Sequence, residues 1–232
     1  MRNLLTLGLL AALFAAGGAW MLTRPATTDT GGTALPTGAA IAQEAEVDTS
    51  SIVEMTLGEE DAPVEVIEYA SFTCPHCARF AGDQFEKLKE RYIDTGLVHF
   101  TYRDVYFDRY GLWASMVARC EPERFFPIAE VIYETQAEWT QSGEPAQIAE
   151  SLRRIGLTAG IDVETLDACF SDGDTAASLV AWFQENAARD EVNSTPTLFI
   201  DGEQHSNMTF DELAALIDGQ LTAAGVEPPA AE

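Results

Sequence analysis

Two cysteines separated by two residues, Cys74-Pro75-His76-Cys77, follow the apolar run Val66-Ile67-Glu68-Tyr69-Ala70-Ser71-Phe72 after Thr73, and the residues beyond them read as a helix. A thiol at a strand-to-helix junction sits where unpaired backbone N–H groups and the positive end of the helix dipole stabilise an anion. Because the thiolate is the nucleophile in thiol–disulfide exchange, this placement points to redox chemistry. Cys74, at the helix start, is the expected attacking thiol, with His76 supplying a cation or a hydrogen-bond donor nearby. Cys77, one turn in, is expected to be less accessible and to act as the resolving thiol. Pro75 occupies the first turn, where its missing N–H costs no helical bond.

Far along the chain, Asn193-Ser194-Thr195-Pro196 precedes a second apolar strand, Thr197-Leu198-Phe199-Ile200. Pro196 reads either as a strand-start proline or, in company with a dithiol, as a cis proline. A cis Thr195–Pro196 bond would present the backbone of Thr195 for strand-like pairing with a peptide. Glu68 is in phase with Val64, Val66 and Ala70 on one strand face. An acid there should have a raised pKa and could relay protons beneath the dithiol; a solvated, edge-facing glutamate is the alternative.

Other chemistries find less support. A zinc site would need two more ligands, and there is no second Cys-x-x-Cys. Haem attachment would need a histidine directly after the second cysteine, where Ala78 stands. A purely structural disulfide across so short a loop gains little chain entropy. The expectation is therefore no metal and no cofactor beyond the Cys74–Cys77 pair. His99 and His205 have no partner nameable from sequence, and Trp113, Phe125, Phe126, Trp139, Trp182 and Phe183 read as helical core.

The elements that must position these residues are legible from pattern. Ile52 to Leu57 reads as a short strand, and Gly58 to Pro63 as a turn. Val64 to Phe72 is a mostly apolar strand, expected to be central and covered on both faces. One helix from Pro75 to about Tyr92 is expected, with Phe80, Phe85 and Leu88 as its apolar face, and Gly96 ends it before a strand from Leu97 to Val105. Residues 110–190 read as helical throughout: Leu112 to Arg119, Phe126 to Glu138, Pro145 to Ile155, Val163 to Ser171 and Thr175 to Arg189. Gly143, Gly156, Gly160 and Gly173 punctuate these pieces. The chain closes with the strand Thr197 to Ile200, an Asp201-Gly202 hairpin turn, a short strand near Glu203 to His205, and a helix from Phe210 to about Ala224 capped by Thr209. The expected fold is α/β: a thioredoxin arrangement around a mixed central sheet, divided into residues 51–109 and 191–226 by a helical insertion over 110–190, with a tail at 227–232.

The N-terminus lies outside that core. Met1-Arg2-Asn3 precedes an apolar run from Leu4 to Leu22, and residues 1–24 read as a secretory signal peptide or an N-terminal membrane anchor. Residues 25–50, rich in Ala, Thr, Gly and Pro and free of aromatics, are expected to be a disordered linker. Export would place the domain in the periplasm. The formal net charge of the chain is −25 from 13 basic and 38 acidic residues. Arg2 and Arg24 belong to the export segment, so the remainder has 11 basic against 38 acidic residues, a net of −27. So acidic a surface argues against nucleic acid and anionic lipid as partners. A solvated surface suited to a salty environment explains it more simply than a basic client.

Glu-Tyr-Ala-Ser-Phe-Thr-Cys-Pro-His-Cys, the later Thr-Pro and the helical block together resemble the DsbA family of bacterial periplasmic disulfide oxidases, over about residues 50 to 224. The resemblance implies Cys74 as attacking thiol, Cys77 as resolving thiol, Pro196 as the cis proline with Thr195 before it, and Glu68 as the buried acid. It further implies exported, cysteine-containing client proteins, a DsbB-like membrane quinone reductase as redox partner, and a monomer. A reductase or isomerase kept reduced by a membrane electron donor, and a peptide-holding chaperone with an incidental dithiol, are the other readings. Thr195 before the proline is shared with isomerase-like and Gram-positive relatives, and Cys120, Cys169 and the long linker depart from the simplest members.

Cys120 and Cys169 each fall in a helical segment, and an exported protein rarely leaves two apolar-flanked thiols free. A structural disulfide between them is expected, clamping the helical block at its two ends; two separate buried thiols are the alternative.

Overall fold

The computed structural model describes residues 47–230. The signal or anchor segment 1–24 and the linker up to residue 46 lie outside the described residues. Among the described residues no helix is long and apolar enough to cross a membrane.

Five strands form one mixed sheet in the order β1-β3-β2-β4-β5. They are β1 (Met55–Leu57), β2 (Val64–Ala70), β3 (Val98–Asp104), β4 (Thr197–Ile200) and β5 (Glu203–Ser206). Strand β2 lies at the centre, parallel to β3 and antiparallel to β4. Its two neighbours leave Val64, Val66, Tyr69 and Ala70 fully enclosed, which is why the run is almost continuously apolar. β1 is shorter than the expected Ile52 to Leu57, and β2 stops at Ala70, because Ser71 to Cys74 turn into the next helix: the Cys74 N–H donates to the Ser71 carbonyl at 3.0 Å.

That helix differs from a single α-helix over Pro75 to Tyr92. It starts as α1 (Pro75–Arg79), widens into a π segment (Phe80–Phe85), narrows to α2 (Glu86–Leu88) and widens again (Lys89–Ile93). The apolar spacing explains the change. Phe80 and Phe85 are five residues apart, as are Leu88 and Ile93, and a wider turn keeps each pair on one face against the core.

The helical block comprises α3 (Arg109–Arg119), α4 (Phe125–Glu134), α5 (Gln136–Thr140), α6 (Pro145–Thr158), α7 (Val163–Ser171) and α8 (Gly173–Arg189). The expected helix from Phe126 to Glu138 is two helices, broken at Thr135. Gly156, expected to interrupt, instead lies inside α6, where an added Cβ would sit 2.9 Å from Leu166 and 3.3 Å from Val117. The glycine lets neighbouring helices approach. After β5, α9 (Phe210–Ala223) starts with a capping box in which Thr209 and Glu212 satisfy each other's backbone N–H. Both ends of the domain are held further than the sequence indicates. The Thr49 hydroxyl donates to Glu185 at 3.3 Å, within the stretch expected to be linker, and the Pro229 carbonyl, within the expected tail, accepts from Arg91 at 3.1 Å.

A disulfide joins Cys120, at the C-terminal cap of α3, to Cys169 in α7, 49 residues later. Both residues are half-buried rather than enclosed, and the bond ties two internal points of the helical block instead of its ends. In the chain-entropy model a closed loop of this size contributes roughly 4 kcal/mol before native-state strain is subtracted. Replacing both cysteines by alanine is therefore expected to lower unfolding free energy by roughly 2–4 kcal/mol in urea titrations, without loss of Cys74 reactivity. In the wild type, mild reductant that opens a Cys74–Cys77 bond should leave Cys120–Cys169 closed, as differential alkylation would read.

Candidate active site

Cys74 is the N-cap residue of α1, with extended backbone (φ −87°, ψ 118°), and Pro75 takes the first helical position. Its carbonyl accepts the first helical bond, from the Ala78 N–H at 3.1 Å. Cys74 is partly exposed and Cys77 is fully buried, and both are free thiols in this structure. The chain returns to the same place from far away: the Thr195–Pro196 bond is cis, and the Cys74 Sγ lies 3.4 Å from the Thr195 carbonyl oxygen.

The two sulfurs have opposite electrostatics. The Cys74 thiol is lowered from its ordinary 9.0 to about 5. The largest cause is the hydrogen bond donated by the Cys77 thiol, and partial burial opposes it. The Thr195 side chain and the backbone N–H groups of Cys77 and His76 add to the lowering. Cys77 is pushed far above the ordinary range by burial, by the bond it gives to Cys74 and by the Glu68 charge. The Thr195 hydroxyl is buried with no hydrogen-bond partner in the structure.

Glu68 lies in mid-β2, paired across the sheet with Tyr102 on β3 and Leu198 on β4, and only 4% exposed. Burial, reinforced by the Cys74 charge, raises its pKa from 4.5 to about 8. A carboxyl in that range can give and take a proton near neutral pH.

The exposed His76 ring is bonded to Arg79, whose Nη2 lies 2.7 Å from Nδ1. Since a guanidinium only donates, Nδ1 is the acceptor in this contact. The His76 backbone N–H is among the groups that lower the Cys74 thiol. His99 and His205 lie on β3 and β5, and neither contacts the dithiol in the hydrogen bonds of the structure. Of the aromatics expected as helical core, Phe125 and Trp139 are buried, and Trp113 and Phe126 pack against that core.

Several residues near the dithiol come from the helical block and carry no motif. The buried Gln136 of α5 donates from Nε2 to the carbonyls of Phe72 at 2.8 Å and Cys74 at 3.0 Å. Tyr133 of α4 shares a 2.7 Å hydroxyl hydrogen bond with Tyr102. Asp108, the N-cap of α3, accepts from the Thr73 hydroxyl at 2.9 Å, bracing the residue before Cys74. Two clefts of about 400 Å³, one lined by Leu112 and Val180 and the other by Trp113 and Phe170, lie within the helical block and away from the sulfurs.

The family model described as thioredoxin matches residues 50–219 of this chain. A Rickettsia bellii protein named as a protein-disulfide oxidoreductase is 32% identical, over 77% of this chain and 71% of its own length. The Bacillus subtilis disulfide bond formation protein D is 30% identical, with 71% of this chain and 76% of that protein covered. The chain spans about three fifths of the length of other Rickettsia relatives that it matches. Among solved structures, Wolbachia pipientis alpha-DsbA1 superposes with a TM-score of 0.67 at 26% identity, over 74% of this chain and 92% of that one. The chain belongs to the thioredoxin family and, within it, to the DsbA-like thiol:disulfide oxidoreductases.

Two variants probe the site. Glu68 has a folded pKa of about 8, above its ordinary 4.5, so the stability tied to its protonated form is complete below pH 4.5 and is lost as pH rises through 8. In the oxidised protein, where neither thiol titrates, wild type should lose stability relative to Glu68→Gln across that window, on the order of a few kcal/mol by chemical denaturation. Gln136→Met keeps the volume and removes the donor. It should cost about 1–3 kcal/mol, chiefly through the abandoned Phe72 carbonyl, since the Cys74 carbonyl keeps its bond from Ala78, and raise the Cys74 pKa, as thiolate absorbance would show.

Proposed function

We propose that this chain introduces disulfide bonds into exported proteins in the periplasm, through a mixed disulfide at Cys74. The observation that carries this reading is the asymmetry of the pair: a Cys74 thiolate stabilised down to about 5 beside a buried Cys77 held protonated. Stabilising the thiolate stabilises the reduced protein, and this makes the disulfide a stronger oxidant. The B. subtilis relative named for disulfide bond formation supports the same direction.

In the proposed cycle a client thiolate attacks the Cys74 sulfur of the Cys74–Cys77 disulfide. The S–S bond breaks, Cys77 leaves as a thiolate, and Glu68 supplies its proton. A second client thiolate then attacks the client sulfur of the mixed disulfide and releases Cys74 as a thiolate. The client has lost two electrons and two protons; one proton restores Glu68, the other goes to solvent, and the enzyme holds a Cys77 thiol and a Cys74 thiolate. A DsbB-like membrane quinone reductase would remove the two electrons again. Thr195 and Pro196, beside the Cys74 sulfur, are assigned to client backbone binding, and Gln136 is a positioning residue. The apolar run Leu4 to Leu22 supports export, as signal or anchor.

The test is the reduction potential against glutathione. The oxidase reading expects a value above about −180 mV, and a value near −270 mV would assign a reductase instead. The reduced protein should also be more stable than the oxidised one. Cys74's folded pKa lies below its ordinary 9.0, so this extra stability is present above pH 9 and fades as pH falls through about 5. Separately, Cys77→Ser should accumulate mixed disulfides with exported proteins on non-reducing gels, whereas Cys74→Ser should not. Equal adducts in the two variants would reverse the assigned roles.

A further inference from the structure

Cations are scarce in this protein, and where the uncommitted ones stand is informative. Of the 11 basic residues outside the export segment, eight form ion pairs with carboxylates among the described residues. Arg79, Arg109 and Arg154 do not. Two of these three stand at the dithiol. Arg79, one turn along α1 from Cys74, is exposed and fixed by its 2.7 Å bond to His76. Arg109 follows Asp108, whose carboxylate accepts from Thr73, the residue before Cys74. It too is exposed, and its guanidinium lies over the rings of Tyr110 at 5.1 Å and Trp113 at 5.8 Å.

Neither arginine forms an ion pair with a described carboxylate, the neighbouring Asp108 included. The Asp108 carboxylate is already shared between the Tyr110 and Gly111 N–H groups and the Thr73 hydroxyl. On the other side of the sulfur, Val192 to Pro196 carry no charge. Beside Arg109, Phe107 is 59% exposed, the most exposed large apolar side chain among the described residues. The principal stabilisers of the Cys74 thiolate are Cys77, Thr195 and His76, so the arginines are not needed to tune the sulfur. Both are held in place by neighbours, which reduces the entropy lost when a partner binds.

We propose that Arg79, Arg109 and Phe107 form a docking rim around Cys74 that favours client segments carrying an acidic and an apolar residue beside the reacting cysteine. This rests on the reading that the dithiol exchanges with polypeptides, and not on the direction of exchange. Such a rim would let a chain whose residues after the export segment carry a net −27 engage acidic segments that its overall field repels.

The sign of the preference is the test. Oxidised full-length protein is mixed with two-cysteine peptides that differ only in Asp or Lys beside the first cysteine, and acid-quenched samples are read by mass spectrometry. At about 0.15 M ionic strength the Debye length is about 8 Å, so the rim is felt more than the distant net charge. The Asp peptide should react roughly three- to tenfold faster, as one or two exposed charge contacts allow. At about 1 M salt the preference should vanish. Arg79→Gln combined with Arg109→Gln should abolish or reverse it, and Arg154→Gln should retain it. A faster or equal Lys peptide with wild type, or an unchanged preference in the double variant, overturns the proposal. So does a Cys74 pKa shift in the double variant large enough to account for the rates. A low reduction potential would sink the oxidase reading and leave the rim standing, whereas absence of exchange even with dithiothreitol would sink the thiol chemistry itself.

Discussion

The site depends on one contrast, between a partly exposed Cys74 at the start of α1 and a buried Cys77 one turn further on. The two partners divide a single task. Cys74 favours the charged form because the Cys77 thiol lies beside it, with smaller help from Thr195 and the first N–H groups of α1. Cys77 stays protonated because it is enclosed, and its proton is then available to the neighbouring sulfur. Forming the disulfide destroys both arrangements together, and this is how a local contact becomes a redox property. Glu68 completes the site from below. Buried in the central strand with its carboxyl raised to about 8, it is the acid to which the proposed cycle assigns the Cys77 proton.

The helical block acts as the second wall of this site. Gln136 pins two carbonyls of the turn that carries Cys74, so the N-cap geometry rests on a helix far away in sequence. The buried Asp104–Arg119 pair, 2.8 Å apart, ties the end of β3 to α3. Breaking a pair so enclosed would leave an uncompensated charge, so it constrains how the block sits on the sheet more than it adds stability. Arg119 also lies over the rings of Phe125 and Trp182, and Cys120 follows it directly. Ion pair, aromatic contacts and disulfide thus converge on the C-terminal turn of α3, and the same helix begins beside Thr73.

So acidic a chain must place its carboxylates where they do not repel, and helix starts take several of them. Asp108, Asp162 and Asp172 cap α3, α7 and α8, and Glu212 closes the capping box of α9. A carboxylate at such a position meets the positive end of the dipole and satisfies N–H groups that would otherwise need water. Acidity is in this way partly structural, although most of the excess faces solvent.

The features legible in the residue order were local ones. Period-2 and helical patterning located the strands and the helical block, and the Cys-x-x-Cys after an apolar strand located the reactive thiols, because backbone geometry and residue order fix these within a few residues. The phase of Glu68 with Val64 and Val66 indicated its burial for the same reason. Whatever depends on approach between distant segments was settled by folding alone. The turn ending β2 at Ala70, the widened turns after Phe80 and the role of Gly156 as a packing contact arise from neighbours that no local window contains. The contact between the His76 ring and Arg79 likewise emerges only in the folded helix. Gln136 carries no motif, since an amide becomes a positioning group only when folding brings it beneath two carbonyls of another element. The sequence named the thiols, and the packing of sheet, helix and insertion around them set which one holds the charge.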